Sequence, residues 1–335
     1  MLTKTLAFDD VLLKPRYSDI VTRKDVDLSV EINTRKPMRL PIFASPMDTV
    51  MSVEMAQRVF EVGGRGILHR YCTIEQQLDT LRACGGVEVF AAVGVTGDWL
   101  DRALALADNG AAGICIDVAH GHHSTVIAAI EKLRSQLPFG IHLMAGNVAT
   151  REGFDALAEA GADSVRVGVG GGSICSTRIQ TGHGVPTFQS VLECSESEYD
   201  CLLVADGGIK NSGDIVKALA AGADAVMIGR MLAGTDESPG DIIKNQGSPP
   251  VKVYRGMASP EAQVAWRGKY SSNEGVSRTV PLKGPATSVL YEIDKGIRSG
   301  LSYSGARNIR ELQAKSEFIV QTSAGAKESS THIDG

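Results

Sequence analysis

The sequence has no Cys-x-x-Cys pair. Its six cysteines, Cys72, Cys84, Cys115, Cys175, Cys194 and Cys201, stand far apart. That spacing builds neither a zinc site nor a disulfide framework, and it fits a reducing, cytoplasmic compartment. No apolar stretch reaches membrane-spanning length, so we expect no membrane partner. The opening "MLTKTLAFDD" lacks the apolar core of a signal peptide, so we expect no export. Basic residues are not in excess: the net charge of −5 leaves nucleic acid without an electrostatic footprint. Only two tryptophans occur, Trp99 and Trp266, and both read as packing residues. What remains, 43% hydrophobic and 22% charged residues, is the composition of an ordinary globular protein.

Short apolar runs recur along the chain. Strands are predicted at 41–46 (PIFASP), 65–70 (RGILHR), 89–95 (VFAAVGV), 113–120 (GICIDVAH), 140–147 (GIHLMAGN), 164–169 (SVRVGV), 201–208 (CLLVADGG) and 225–230 (AVMIGR). Each is apolar on both faces, as parallel strands buried between helices are. Helical patterns such as TIEQQLDTLRAC and GDIVKALAAGA lie between them. The endings NGAAG, AGADS and AGADA repeat one device, a glycine that stops the helix just before the next strand. Eight strand–helix units predict a (β/α)8 TIM barrel, in preference to an open doubly wound sheet. The barrel occupies 1–335 as one domain. A long polar segment after strand 8, 235–284, reads as a flap, a helix follows near 286–299, and 318–335 reads as a tail.

In such a barrel the strand C-termini form the catalytic face. This places Asp48, His69, Arg70, Asp117, His120, Asn147, Asp206 and Arg230 there, with the loop "VGVGGGSICSTR" (167–178). Four glycines, Gly168, Gly170, Gly171 and Gly172, let backbone amides close on an anion or carbonyls on a cation. Cys175 follows with a hydroxyl two positions on, the look of a nucleophile with proton-handling company. Gly207, Gly208 and Gly229 occupy loops 7 and 8, the usual phosphate position of these barrels. The histidines of "HGHH" (His120, His122, His123) have no Cys or Glu in ligand spacing, so a metal is not expected there.

These motifs, with "FDDVLLKP", "SPMDTV", "IDVAHGH", "AGNVAT", "MLAGTDESPG", "YRGM" and "GIRSGLSYSGA", resemble the IMP dehydrogenase/GMP reductase family along nearly the whole chain. The resemblance implies a homotetrameric barrel acting on a purine nucleoside monophosphate with a nicotinamide cofactor, and Cys175 as the nucleophile that holds a covalent thioimidate. It implies that Ser173, Gly207, Gly208, Gly229, Arg230 and Tyr254 hold the 5′-phosphate and that Asp206 holds the ribose. Gly256, Met257, Ala258 and Gly275 frame the base. Asp117, Val118, Ala119, Val169, Gly170, Arg70 and Tyr270 meet the cofactor, with Thr22 and Arg23 of a neighbouring subunit. The carbonyls of Gly170, Gly172 and Cys175 bind a monovalent cation, K+, and Glu328 resembles a neighbour's share of that site.

Three positions depart from the family pattern. Gly171 replaces a proline, which predicts a looser loop; Ser176 replaces a threonine; Arg230 replaces a small residue. The family contains two reactions. No adjacent Arg-Tyr pair, the dehydrogenases' water-activating device, follows Met257, and no regulatory insert follows the second unit. Both features resemble GMP reductase, in which Thr177 and Glu274 match the pair that helps ammonia leave and NADPH is the cofactor. In contrast, the 205–229 stretch and the tail resemble the dehydrogenases, which oxidise IMP to XMP with NAD. Outside the family, a Schiff-base aldolase is disfavoured because no predicted strand ends in lysine, and a catalytically dead nucleotide binder because Cys175, Thr177 and Glu274 are intact.

Overall fold

The protein was analysed as a computed structural model, which describes residues 3–244 and 247–329. Twelve strands are present among them: β1 (Val11–Leu13), β2 (Ile42–Ala44), β3 (Arg65–Leu68), β4 (Phe90–Val93), β5 (Gly113–Asp117), β6 (His142–Val148), β7 (Ser164–Val167), β8 (Leu202–Asp206), β9 (Ala225–Ile228), β10 (Val251–Arg255), β11 (Ser277–Pro281) and β12 (Phe318–Val320). Strands β2 to β9 pair in sequence order as a closed barrel. All the barrel pairings are parallel, and the seam is closed by Phe43 opposite Met227. These eight are the eight strands predicted.

The repeated helix endings work as the sequence suggests. Gly110, Gly161 and Gly222 have φ of 93°, 106° and 114°. In each case the next amide reaches back to close the helix: Ala111 to Leu106 O (3.0 Å), Ala162 to Leu157 O (3.1 Å) and Ala223 to Ala218 O (3.1 Å). This is the six-to-one hydrogen bond of a Schellman stop. At the opposite helix ends, side chains of Ser52, Thr73, Thr150 and Asn211 cap free amides. Helix orientation is therefore set locally, unit by unit.

Phe43 and Phe90, on barrel strands, are fully buried, as is Phe188 in the surrounding layer. His142 is buried against the Phe90 ring, with Nε2 2.8 Å from Ser164 Oγ. The N-terminal end of the barrel is closed by the buried pair Arg65–Glu88 at 2.6 Å.

The ends of the chain differ from expectation. The 235–284 segment is not a plain loop: β10 and β11 form an antiparallel hairpin, and the helix Pro260–Arg267 lies between them. Lys252 on β10 anchors this hairpin by donating to the carbonyls of Thr235, Asp236 and Ser238 at 3.0, 3.2 and 2.7 Å. The closing helix runs longer than predicted, Ala286–Tyr303. The expected tail is structured where it is described. Strand β12 pairs antiparallel with β1, a contact spanning the chain's two ends, and the helix Ser323–Glu328 follows. Residues 330–335 of that tail lie outside the described residues.

Candidate active site

The C-terminal ends of the barrel strands open into a cavity of about 820 Å3, large enough for a nucleotide beside a second ligand. The loop after β7 crosses it, and Cys175 stands there half-buried with a free thiol. Its Sγ lies 3.1 Å from Thr177 Oγ1, which donates to Glu274 Oε2 at 2.9 Å. Thr177 is held because it opens the short helix Thr177–Thr181. Glu274 comes from the returning limb of the flap, 97 residues further on. Backbone bonds bring it in: Ser176 N–H to Glu274 O (2.9 Å) and Val276 N–H to Ile174 O (2.9 Å), around a bridge between Cys175 and Gly275. Ser176 adds a hydroxyl bond to Asn273 O at 3.0 Å. Thiol, hydroxyl and carboxylate thus form one line along which a proton can move.

The next layer is glycine against glycine. Gly207 and Gly208 have φ of 92° and 78°, and a Cβ on Gly207 would meet Gly172 N at 3.0 Å. Only residues without side chains allow the two loops to approach so closely. Across from them, a Cβ on Gly229 would lie 3.2 Å from Tyr254 Oη and 3.3 Å from Ser45 Oγ. Burial pushes the Tyr254 phenol up to about 12, while its hydrogen bond with Ser173 acts the other way. Gly207, Gly208, Gly229 and the hydroxyl-bearing Ser173 and Tyr254 therefore line one cavity, which Arg230, an exposed residue, lines as well. Lys283 clamps this turn by donating to Arg230 O (2.5 Å) and Met231 O (3.1 Å). Burial, then the charge of Arg230, lowers the Lys283 ammonium to about 8.

Asp117 and Asp206 end β5 and β8. Arg166, 3% exposed inside the barrel, binds Asp117 Oδ1 at 2.6 Å. Arg70 reaches Asp117 Oδ2 at 3.6 Å and its carbonyl at 3.1 Å. Burial alone would raise the Asp117 carboxyl, but the two guanidinium groups outweigh it and hold the group below its ordinary value. Asp206 shifts the other way: burial raises it against the pull of Arg166 and the 2.8 Å bond from Asn147 Nδ2. Neighbouring carboxylates in one wall are thus given different proton affinities.

Most of the residues singled out from the sequence line this one cavity: Cys175, Thr177, Glu274, Ser173, Asp206, Tyr254 and Asp117 among them, with all the glycines named. Three do not. Tyr270 is 60% exposed and lies outside it. Thr22 caps the short turn Arg23–Asp25, and Arg23 lines a separate shallow depression with Asp294 and Arg298. The structure adds residues that received no role in the sequence reading. Arg166 is one; its signal was a lone charge inside the apolar run SVRVGV. Another is Gln263, whose buried amide ties Ala258 O to Ser271 and Ser272 across the flap. A Cβ on Gly171 would lie 2.3 Å from Thr187 Oγ1, so Thr187 fills the space that a side chain at 171 would need. His123 of "HGHH" caps the helix Ser124–Gln136, and no group of three metal-ligating side chains occurs among the described residues.

Known proteins with the same features can now be compared. A family model described as IMP dehydrogenase / GMP reductase domain matches residues 5–332. The chain is 32% identical to an inosine-5′-monophosphate dehydrogenase of Nitrosopumilus maritimus, covering 98% of each protein. It is 30% identical to a GMP reductase of Leishmania major over 99% of this chain and 97% of that one. An inosine-5′-monophosphate dehydrogenase of Aquifex aeolicus is 49% identical over 74% of this chain and 52% of its own length. A crystal structure of a cysteine-to-alanine variant of Trypanosoma brucei GMP reductase, in complex with guanosine 5′-monophosphate, superimposes with a TM-score of 0.94 at 29% identity, covering 100% of this chain and 99% of that one. With the family model spanning the barrel, the flap and the cysteine loop alike, the chain belongs to the IMP dehydrogenase/GMP reductase family of oxidoreductases.

Proposed function

We propose that this protein is a GMP reductase, converting GMP and NADPH to IMP, ammonia and NADP+. The observation that carries the reading is the Cys175–Thr177–Glu274 line, at 3.1 and 2.9 Å. As Sγ attacks purine C2, its proton passes through the Thr177 hydroxyl to the Glu274 carboxylate. The same proton returns along the line to the C2 amino group, which leaves as ammonia and leaves C2 bonded to sulfur. When bound, the nicotinamide cofactor supplies the hydride that C2 needs before sulfur departs. In this reading the 5′-phosphate takes the amides of Gly207, Gly208, Gly229 and Arg230 with the Ser173 and Tyr254 hydroxyls. Asp206 accepts from the ribose, and Asp117, Val118 and Ala119 face the nicotinamide. A monovalent cation would be held by the carbonyls of Gly170, Gly172 and Cys175, the last two in one turn closed by Cys175 N–H to Gly172 O at 3.1 Å. The assembly is a homotetramer.

Water activation has less support. Arg267 lies over the Tyr71 ring at 5.8 Å, and Tyr270 points to solvent. Arg267 lines the cavity but is engaged with Tyr71, and Tyr270 lies outside the cavity. Alignments to the Nitrosopumilus dehydrogenase and the Leishmania reductase run over 467 and 479 positions, both longer than this chain's 335 residues. The missing insert therefore does not separate the two reactions. A second reading, IMP oxidation to XMP with NAD, is favoured by the 49% identity to the Aquifex dehydrogenase. Absorbance at the nicotinamide band decides. NADPH consumption with GMP is expected, and Glu274→Gln should slow ammonia release more than the hydride step. NADH formation from IMP, with no NADPH consumption by GMP, would establish the second reading instead.

A further inference from the structure

In the loop after β2, Asp48 and Thr49 grip the Arg255–Met257 segment without lining the cavity. Asp48 Oδ2 accepts from Arg255 Nε at 3.0 Å and Nη2 at 2.5 Å. The Asp48 N–H points at Met257 Sδ, 3.3 Å away. Thr49 Oγ1 accepts from the Arg255 N–H at 3.2 Å. Asp48 does not itself line the cavity, whereas Gly256, Met257 and Ala258 do. Its other oxygen, Oδ1, is buried without a partner among the described residues, so the carboxylate's hydrogen bonds all go to Arg255 through Oδ2. Arg255 is also the last residue of β10, opposite Ser277, so the whole flap springs from it. One residue back in the same loop, Met47 Sδ would lie 3.0 Å from a Cβ on Gly229. One short loop therefore backs the phosphate turn and the base segment together.

We infer that Asp48 is a positioning residue for base recognition: through Arg255 and Met257 it sets the segment that frames the purine, without touching the nucleotide. The pair is mostly shielded, with side chains 15% and 24% exposed, so salt screens it less than a surface pair. A binding wall must hold its place to about 0.5 Å to discriminate, and a carboxylate gripping both Nε and Nη2 supplies that restraint. This inference rests on the proposal that the cavity takes a purine nucleotide, but not on the direction of the reaction.

The test is equilibrium binding of GMP, of IMP, and of ribose 5-phosphate as a probe without a base. Asp48→Asn should weaken both nucleotides about tenfold while ribose 5-phosphate stays within about twofold. Arg255→Lys keeps the charge but loses the two-pronged contact and should give the same split, even if Asp48→Asn does not fold. Asp48→Glu should restore most of the nucleotide affinity. Equal loss of ribose 5-phosphate affinity, or unchanged nucleotide affinity, overturns the assignment. A wild-type protein that binds neither GMP nor IMP would sink the nucleotide reading as well, and does so without any variant.

Discussion

A thiol attacks only where its proton has somewhere to go. Burial pushes the thiols of Cys84, Cys115, Cys194 and Cys201 up to about 11 or 12 and raises that of Cys72 as well. Cys175 alone stands in a polar loop with a hydroxyl–carboxylate line beside it. Cys175→Ala should abolish turnover but leave nucleotide binding within about tenfold, roughly 1.4 kcal/mol, because all the proposed phosphate and ribose contacts except Ser173 come from other loops. Turnover and binding measured on the same preparation check this, and the wild-type protein trapped with substrate should show a mass adduct on Cys175. Asp206 makes a second case. Its carboxyl is raised by burial, so the ionised form disfavours the folded state. Asp206→Asn should therefore melt higher than wild type. That gain is absent below about pH 4, where folded and unfolded chains both hold the proton. It grows as the pH rises through the folded-state value. The same variant should lose preference for ribo- over 2′-deoxyribonucleotides, since a charge-assisted acceptor is gone. Melting curves across pH, with binding of the two sugars, read both effects.

Elements were legible where they are local. Each barrel strand, and each helix ending in a glycine stop, is a short apolar or amphipathic run closed by bonds within a few residues. The flap hairpin is different: Val251–Arg255 and Ser277–Pro281 are separated by 21 residues, and neither strand has a marked apolar alternation. It is stabilised by contacts that are distant in the chain, such as the Lys252 carbonyl nest and the Cys175–Gly275 bridge. That arrangement divides the flap. Residues 268–271 are exposed, whereas β11 is paired along its whole length and Val276 N–H is bonded to Ile174 O. Amide hydrogen exchange should be fast over 268–271 and much slower at Val276 and Val280. Uniform fast exchange from 256 to 281 would show that the flap is not docked.

At the scale of the whole molecule, the barrel interior carries a pH-dependent term. Burial lowers His142 to about 4, so the ring stays neutral in the folded chain while the unfolded chain takes up a proton near the ordinary value of about 6.5. Its contribution is fully present above about pH 6.5 and lost as the pH falls towards about 4, on the order of 3 kcal/mol in all. His142→Gln, which can still bond Ser164, should flatten the stability curve in that window. Denaturant midpoints measured from pH 7 to pH 4 provide the check; an unchanged slope would remove His142 from the acid response.

The eight barrel strands and the glycine stops between them were set by residues close in sequence, because hydrophobic period and helix capping are local properties. The cysteine proposed as nucleophile stood out too, since Cys175 sits in a glycine loop at a strand C-terminus and the surrounding motifs resemble one family. Folding decided what those motifs could not. Glu274 stands by Thr177 only because the flap returns across the cysteine loop. Arg166 links the Asp117 and Asp206 wall only because β5, β7 and β8 curve around one interior. Thr187, at the start of the helix Thr187–Cys194, fills the space a side chain at 171 would need. The last strand is no free tail because it meets the first, about three hundred residues away. Each of these is a contact between groups far apart in the chain, and such contacts come into being only when the barrel closes.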